Sequence, residues 1–226
     1  MVADNLKILE DKIAERCNAC GRKRSEILLI AVSKTQPVDV INDAISAGLS
    51  DFGENKAQEL RDKSREISGD FHWHFIGHLQ SNKIKYVINA AHFIHSVDSI
   101  KIAEEINDKA AQIDKLQNVL LEIKTSDEAT KFGLGNVDEI FETVEYCRNA
   151  RFLDPIGLMT MAPYTDDIDK IRYSFKHLRD IREKLNSAGY ALKELSMGMS
   201  HDYEIAIEEG ATMLRVGAAI FGERNY

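Results

Sequence analysis

Eight short apolar runs recur along this 226-residue chain, each followed by a longer stretch with polar or amphipathic patterning. They are ILLIAVSK (27–34), DFGEN (51–55), WHFIG (73–77), FIHSV (93–97), NVLLEIK (118–124), DPIGLMTM (154–161), LKELSMG (192–198) and TMLRVG (212–217). Most lack strict alternation, as expected of strands in a parallel sheet covered on both faces. The intervening stretches read as helices. The clearest carries Ile168, Ile171, Phe175, Leu178, Ile181 and Leu185 at intervals of three or four. Pro37 suits the first turn of a helix that Gly48 would stop. Asp98 or Ser99 is placed to cap the helix after residue 97, and a further helix is expected from about Asn82. Eight β/α units in about 200 residues predict one (β/α)₈ barrel over 1–226, with an extra N-terminal helix. A doubly wound Rossmann sheet is the alternative, but no GxGxxG follows the first strand.

Composition narrows the function classes. A net charge of −8 argues against a nucleic-acid footprint, which is usually basic. No apolar run reaches membrane-spanning length. The opening MVADNLKILEDKIAERC carries acids throughout and does not read as a signal peptide. Three cysteines in a chain of this size fit a reducing compartment, so a cytoplasmic location is expected. Cys17 and Cys20 form a CxxC, yet with Leu6, Leu9 and Ile13 they fall at helical spacing. Both thiols are therefore expected on the buried face of one helix, with no second pair to complete a zinc site.

In a barrel, residues at the C-terminal ends of the strands converge on one face. Lys34 closes the first run there. It is either a solvated strand-end lysine or, if partly desolvated, an amine able to attack a carbonyl and form a Schiff base. Arg215, between Leu214 and Val216, must find a partner or face a cavity: a structural ion pair or an anion site. Gly217 and Ala218 follow it in a small, apolar segment whose N–H groups are suited to cradle a phosphate. Ser196 and Ser200, at the end of the seventh run, are turn residues or further hydroxyl donors. Asn55 is a helix cap or a ligand contact. His72 and His74 form an HxH, read here as core packing between Trp73 and Phe75 rather than as a metal site. His78 begins a loop within reach of a ligand.

Five segments, AVSKTQP, DFGENKAQEL, WHFIGHLQSNK, GLMTMAP and LSMGMSHDYEIAIEEGATMLRVGAAIFGERNY, together resemble the pyridoxal phosphate homeostasis proteins, relatives of the alanine racemase barrel domain. The match runs from about residue 27 to the last. The resemblance implies pyridoxal 5′-phosphate held as a Schiff base on Lys34, Arg215 facing the pyridine nitrogen, and Asn55 at the ring's edge. It implies Ser196, Ser200, Gly217 and Ala218 around the phosphate, with alanine at 218 where relatives often carry threonine. An arginine cannot readily protonate the ring nitrogen, which weakens the ring as an electron sink. Racemases of this fold also use a tyrosine base from a second, β domain. With only nine residues after Gly217, no such domain is expected here, nor the dimer it builds. The expected protein is thus a monomeric cofactor carrier that supplies apo-enzymes, without robust catalysis. A racemase using the same cofactor, or a cofactor-free Schiff-base aldolase or sugar-phosphate isomerase, are the alternatives.

Overall fold

The computed structural model describes residues 1–126 and 132–222. Among them, eight parallel strands close on themselves in chain order. They are β1 (Leu28–Val32), β2 (Asp51–Glu54), β3 (His72–Phe75), β4 (Phe93–Val97), β5 (Gln117–Glu122), β6 (Leu153–Met159), β7 (Glu194–Ser196) and β8 (Met213–Val216). The seam pairs Ile30 with Arg215 and Ala31 with Val216, so the last strand lies beside the first. Each expected run overlaps one of these strands, with β3, β5 and β6 starting one residue earlier, at His72, Gln117 and Leu153, and the barrel is the predicted one.

Outside the sheet lie α2 (Val38–Ser46), α3 (Ala57–Glu66), α4 (Ile84–Val87), α5 (Ile100–Ala111), α6 (Val137–Asn149), α7 (Ile168–Ser187) and α8 (Tyr203–Glu208), with α9 (Ala218–Phe221) after β8. The extra helix α1 (Val2–Ala19) packs against α2, α8 and α9 through Leu6, Leu9, Ile13 and Cys17. Cys17 is buried as expected, but Cys20 is exposed, because it is the residue that caps the helix rather than part of its inner face. Ser99, not Asp98, caps α5, accepting from the Ile102 N–H. After Asn82 the helix is only four residues long, entered through a 3₁₀ turn. In α7, Ile168 is exposed because it opens the first turn above the core that Ile171, Phe175, Leu178 and Leu185 enter.

Apolar packing falls into two layers. Between sheet and helices, Phe52, Phe71 and Trp73 meet with centroids 5.5–5.9 Å apart, and Phe75, Leu60 and Phe175 are fully buried. Inside the barrel a small second cluster joins Ile30, Leu120, Met159 and Met213. Alternation along each strand separates the two sets. Pro155 interrupts β6, where its missing N–H is absorbed by a bulge: Val119 pairs with Pro155, but Leu120 with Gly157. A Cβ at Gly157 would sit 2.1 Å from the Glu194 carbonyl oxygen, so β6 reaches β7 only as glycine. No helix among the described residues is long and apolar enough to cross a membrane.

Candidate functional site at the barrel mouth

Lys34 lies two residues past β1, half-buried, in a turn whose backbone is held on both sides. Ser33 points outward, its hydroxyl donating to Glu54 Oε1 at 2.6 Å. The buried ammonium of Lys63, from α3, donates to the Ser33 carbonyl, to Glu54 Oε1 and to Glu59 Oε1, each at 2.7 Å. Glu59 Oε1 in turn accepts from the Thr35 N–H at 2.5 Å. Thr35 adopts the left-handed backbone, φ 66°, unusual for a β-branched residue, and this clamp supplies its support. Burial pushes the Glu54 carboxyl up despite its contacts with Lys63 and Ser33. By strand alternation Lys34 follows Ile30 and Val32 on the inner side.

Arg215 enters the lumen from β8 and is 4% exposed. It finds polar partners rather than a carboxylate. Its Nη1 donates to Ser196 Oγ at 2.6 Å and its Nη2 to the Thr160 carbonyl at 2.8 Å. Burial lowers its pKa to about 10, which leaves it cationic near neutrality. The chain of contacts then crosses the barrel. Ser196 Oγ lies 2.9 Å from His95 Nδ1, His95 Nε2 lies 2.9 Å from His74 Nδ1, and His74 Nε2 lies 2.9 Å from Asp51 Oδ1. Ser196, His95 and His74 have no exposed surface. Phe93 stacks on the His74 ring at 4.5 Å.

Trp73 and Phe75 pack in the core as expected, while His74 between them faces the lumen and hydrogen-bonds, and His72 is about half exposed with Nδ1 3.4 Å from Asp51. No group able to hold a metal is found among the described residues. Sequence reading missed His95, Asp51 and Glu122. The signal was present in each case: a polar residue inside an apolar run on the parity of Arg215 or Ile30. Glu122, 3% exposed, ends β5, and burial pushes its carboxyl up to about 7, with Asp98 adding and Arg215 opposing.

The remaining expected residues gather near the same rim. Asn55 follows β2, and its Oδ1 is buried without a hydrogen-bond partner. Ser200 Oγ accepts from the Ala219 N–H at 3.5 Å, which brings the loop after β7 against Gly217 and Ala218. A Cβ on Gly217 would lie 3.2 Å from the Val32 carbonyl oxygen, and one on Gly77 would lie 2.1 Å from that of Asn55. Both glycines keep the rim tight where β1 meets β8 and β2 meets β3. His78 stacks on Phe132 at 3.6 Å and lies 3.2 Å from Asp98. Lys124 lines an outer groove of about 1080 Å³ with Thr125, Ser126 and Tyr164. Lys131, in TKFGL and expected from the sequence as an exposed loop residue, lies outside the described residues.

Residues 8–225 match the alanine racemase N-terminal domain family. The chain is 40% identical to the pyridoxal phosphate homeostasis protein of Aquifex aeolicus, over 99% of its own length and 98% of that protein's. It belongs to the pyridoxal phosphate homeostasis family. The Escherichia coli member is 39% identical, over 100% of this chain and 97% of that one. PipY of Synechococcus elongatus, solved without PLP, superposes with a TM-score of 0.89 at 32% identity, covering 98% of this chain and all of that one. PipY with PLP bound gives 0.83 at 33% identity, over 93% of this chain. Alanine racemase of Clostridium difficile shares the fold, with a TM-score of 0.77 at 17% identity over 58% of its length.

Proposed function

We propose that this protein binds pyridoxal 5′-phosphate, joined covalently to Lys34, and serves homeostasis of that cofactor without robust catalysis. The observation that carries the reading is that Lys34 and a buried Arg215 share one barrel mouth in a chain 33% identical to a PipY with PLP bound. The residues present suit such a group. Asn55 Oδ1 is a buried acceptor lacking a partner. Arg215 uses two nitrogens on Ser196 and Thr160, which leaves further N–H donors of its five for a ligand. Ser200, Gly217 and Ala218 offer a hydroxyl and backbone N–H groups for a phosphate; Ser196 would reach the site through Arg215.

When bound, the cofactor supplies an aldehyde that condenses with amines and an electron-withdrawing pyridine ring. The chain's own residues then favour holding over turnover. Arg215 donates hydrogen bonds but does not readily release a proton, so as a partner for the ring nitrogen it would leave that nitrogen unprotonated and the ring a weak sink. Lys34 acting by itself would not readily add and remove a proton on opposite faces of a substrate. The reading extends to a cytoplasmic monomer, one unit over 1–226, that passes its cofactor to apo-enzymes.

The test is an absorbance spectrum of the purified protein with pyridoxal phosphate, before and after borohydride, with peptide mapping of the adduct. We expect the label on Lys34 and its loss in a folded Lys34→Ala variant. A label on Lys124 or Lys131 would refute the site, and a protein that stays colourless would refute the cofactor. Sustained racemisation of single-enantiomer alanine or serine at enzymic rates would refute the carrier role.

A further inference from the structure

The polar chain through the lumen has a proton order that its geometry dictates. Burial pushes the Asp51 carboxyl up, but hydrogen bonds from His74 and Ser50 outweigh this and hold it below its ordinary value, so it is an anion and only accepts. His74 must therefore carry its proton on Nε2. Burial holds His74 and His95 neutral, so each ring has one bare nitrogen. His74 Nδ1 is bare and accepts from His95 Nε2–H; His95 Nδ1 is bare and accepts from the Ser196 hydroxyl. Ser196 Oγ in turn accepts from Arg215. Every proton points from Arg215 toward Asp51.

We infer that Asp51, His74 and His95 are positioning residues for Arg215, and that Ser196 spends its hydroxyl proton on His95 and none on the phosphate. The chain is a strut. An apolar lumen would leave the guanidinium held only by the Thr160 carbonyl, free to swing in the mouth. With Ser196 fixed by His95, His95 by His74 and His74 by Asp51, two guanidinium nitrogens are pinned and the remaining donors are aimed. Ser200, half-buried and outside this chain, keeps its proton for an anion. The inference rests on the proposed cofactor reading for its ligand, but the proton order does not.

Two measurements test it separately. Long-range ¹H–¹⁵N correlation of the imidazoles in the cofactor-free full chain at neutral pH should show His74 and His95 neutral, both with the proton on Nε2. An imidazolium at His74, or a proton on His95 Nδ1, would reverse the chain, release the Ser196 proton and overturn the inference whatever the protein binds. The second compares affinity for pyridoxal 5′-phosphate and for pyridoxal. Ser196→Ala and His95→Phe should weaken both ligands alike, by about tenfold for a displaced charged hydrogen-bond donor. Ser200→Ala should weaken the phosphorylated ligand selectively. If Ser196→Ala shows the same selectivity as Ser200→Ala, Ser196 is a phosphate ligand and the strut is wrong. If the wild type binds neither compound, the cofactor reading fails while the imidazole spectrum still decides the proton order.

Discussion

Glu122 is the residue whose chemistry departs furthest from what its side chain does in water. It ends β5 with almost no exposed surface, near Asp98 and Arg215, and burial lifts its carboxyl from 4.5 to about 7. The folded protein thus keeps a proton that the unfolded chain has released, and stability falls as pH rises through that window. Between pH 4.5 and 7 this group should cost about 3 kcal/mol, and Glu122→Gln should remove that slope in urea titrations at the two pH values. Burial of a charge is what made Arg215 legible: a cation inside TMLRVG has to be explained. The same reasoning applied to NVLLEIK finds Glu122. His95 and His74 were harder, because a neutral imidazole in a strand needs no charge partner and passes for packing. The partners of His74 lie on the neighbouring strands β2 and β4, but His95 meets Ser196 of β7, three strands along, which only closure of the sheet brings opposite. The clamp around Lys34 was illegible for a related reason. Lys63 sits at helical spacing from Glu59 and reads as a solvent-facing pair, whereas the fold turns both beneath Ser33.

The elements were legible where periodicity and punctuation agree. Gly48 ends α2 with φ 97°, and Asn136 caps α6, as turn chemistry requires. Failures were at edges, where Cys20 and Ile168 have the right spacing but lie at a helix end that overhangs the core. α1 is the element least obliged by the barrel, since the sheet closes without it. Its inner face nevertheless includes Ile13, with no exposed surface, against α8 and α9, the elements flanking β8. Ile13→Ala should cost about 2–5 kcal/mol by chemical denaturation, the range for an emptied core site. A loss under 1 kcal/mol would mean that α1 is not part of the cooperative core. β6 makes the opposite case, where one hydrogen atom cannot be exceeded. Gly157→Ala drives a methyl into the Glu194 carbonyl, and separation of β6 from β7 should cost about 2 kcal/mol or more. Its signature would be faster amide exchange along β7.

Across the whole molecule, the lumen is built as an apolar cluster with a polar column beside it, and the column makes the fold sensitive to acid. His74, His92 and His95 all have pKa values lowered by burial from the ordinary 6.5. As pH falls below 6.5, the unfolded chain takes up protons that the folded barrel refuses, so stability falls. Each such histidine contributes at most about 1.4 kcal/mol per pH unit. Glu122 acts with the opposite sign over pH 4.5 to 7, so the wild-type curve is the difference of the two and looks flatter than either. In a Glu122→Gln background the histidine slope should stand alone. Adding His95→Phe should reduce it by about one proton's worth, about 1.4 kcal/mol per pH unit, because His95 is the ring most deeply lowered. The ring of phenylalanine fills the lumen without a bare nitrogen, so the barrel should stay closed and the change should appear in the slope. An unaltered slope below pH 6.5 would mean that His95 is protonated in the folded barrel, and with it that the column is not neutral between Arg215 and Asp51.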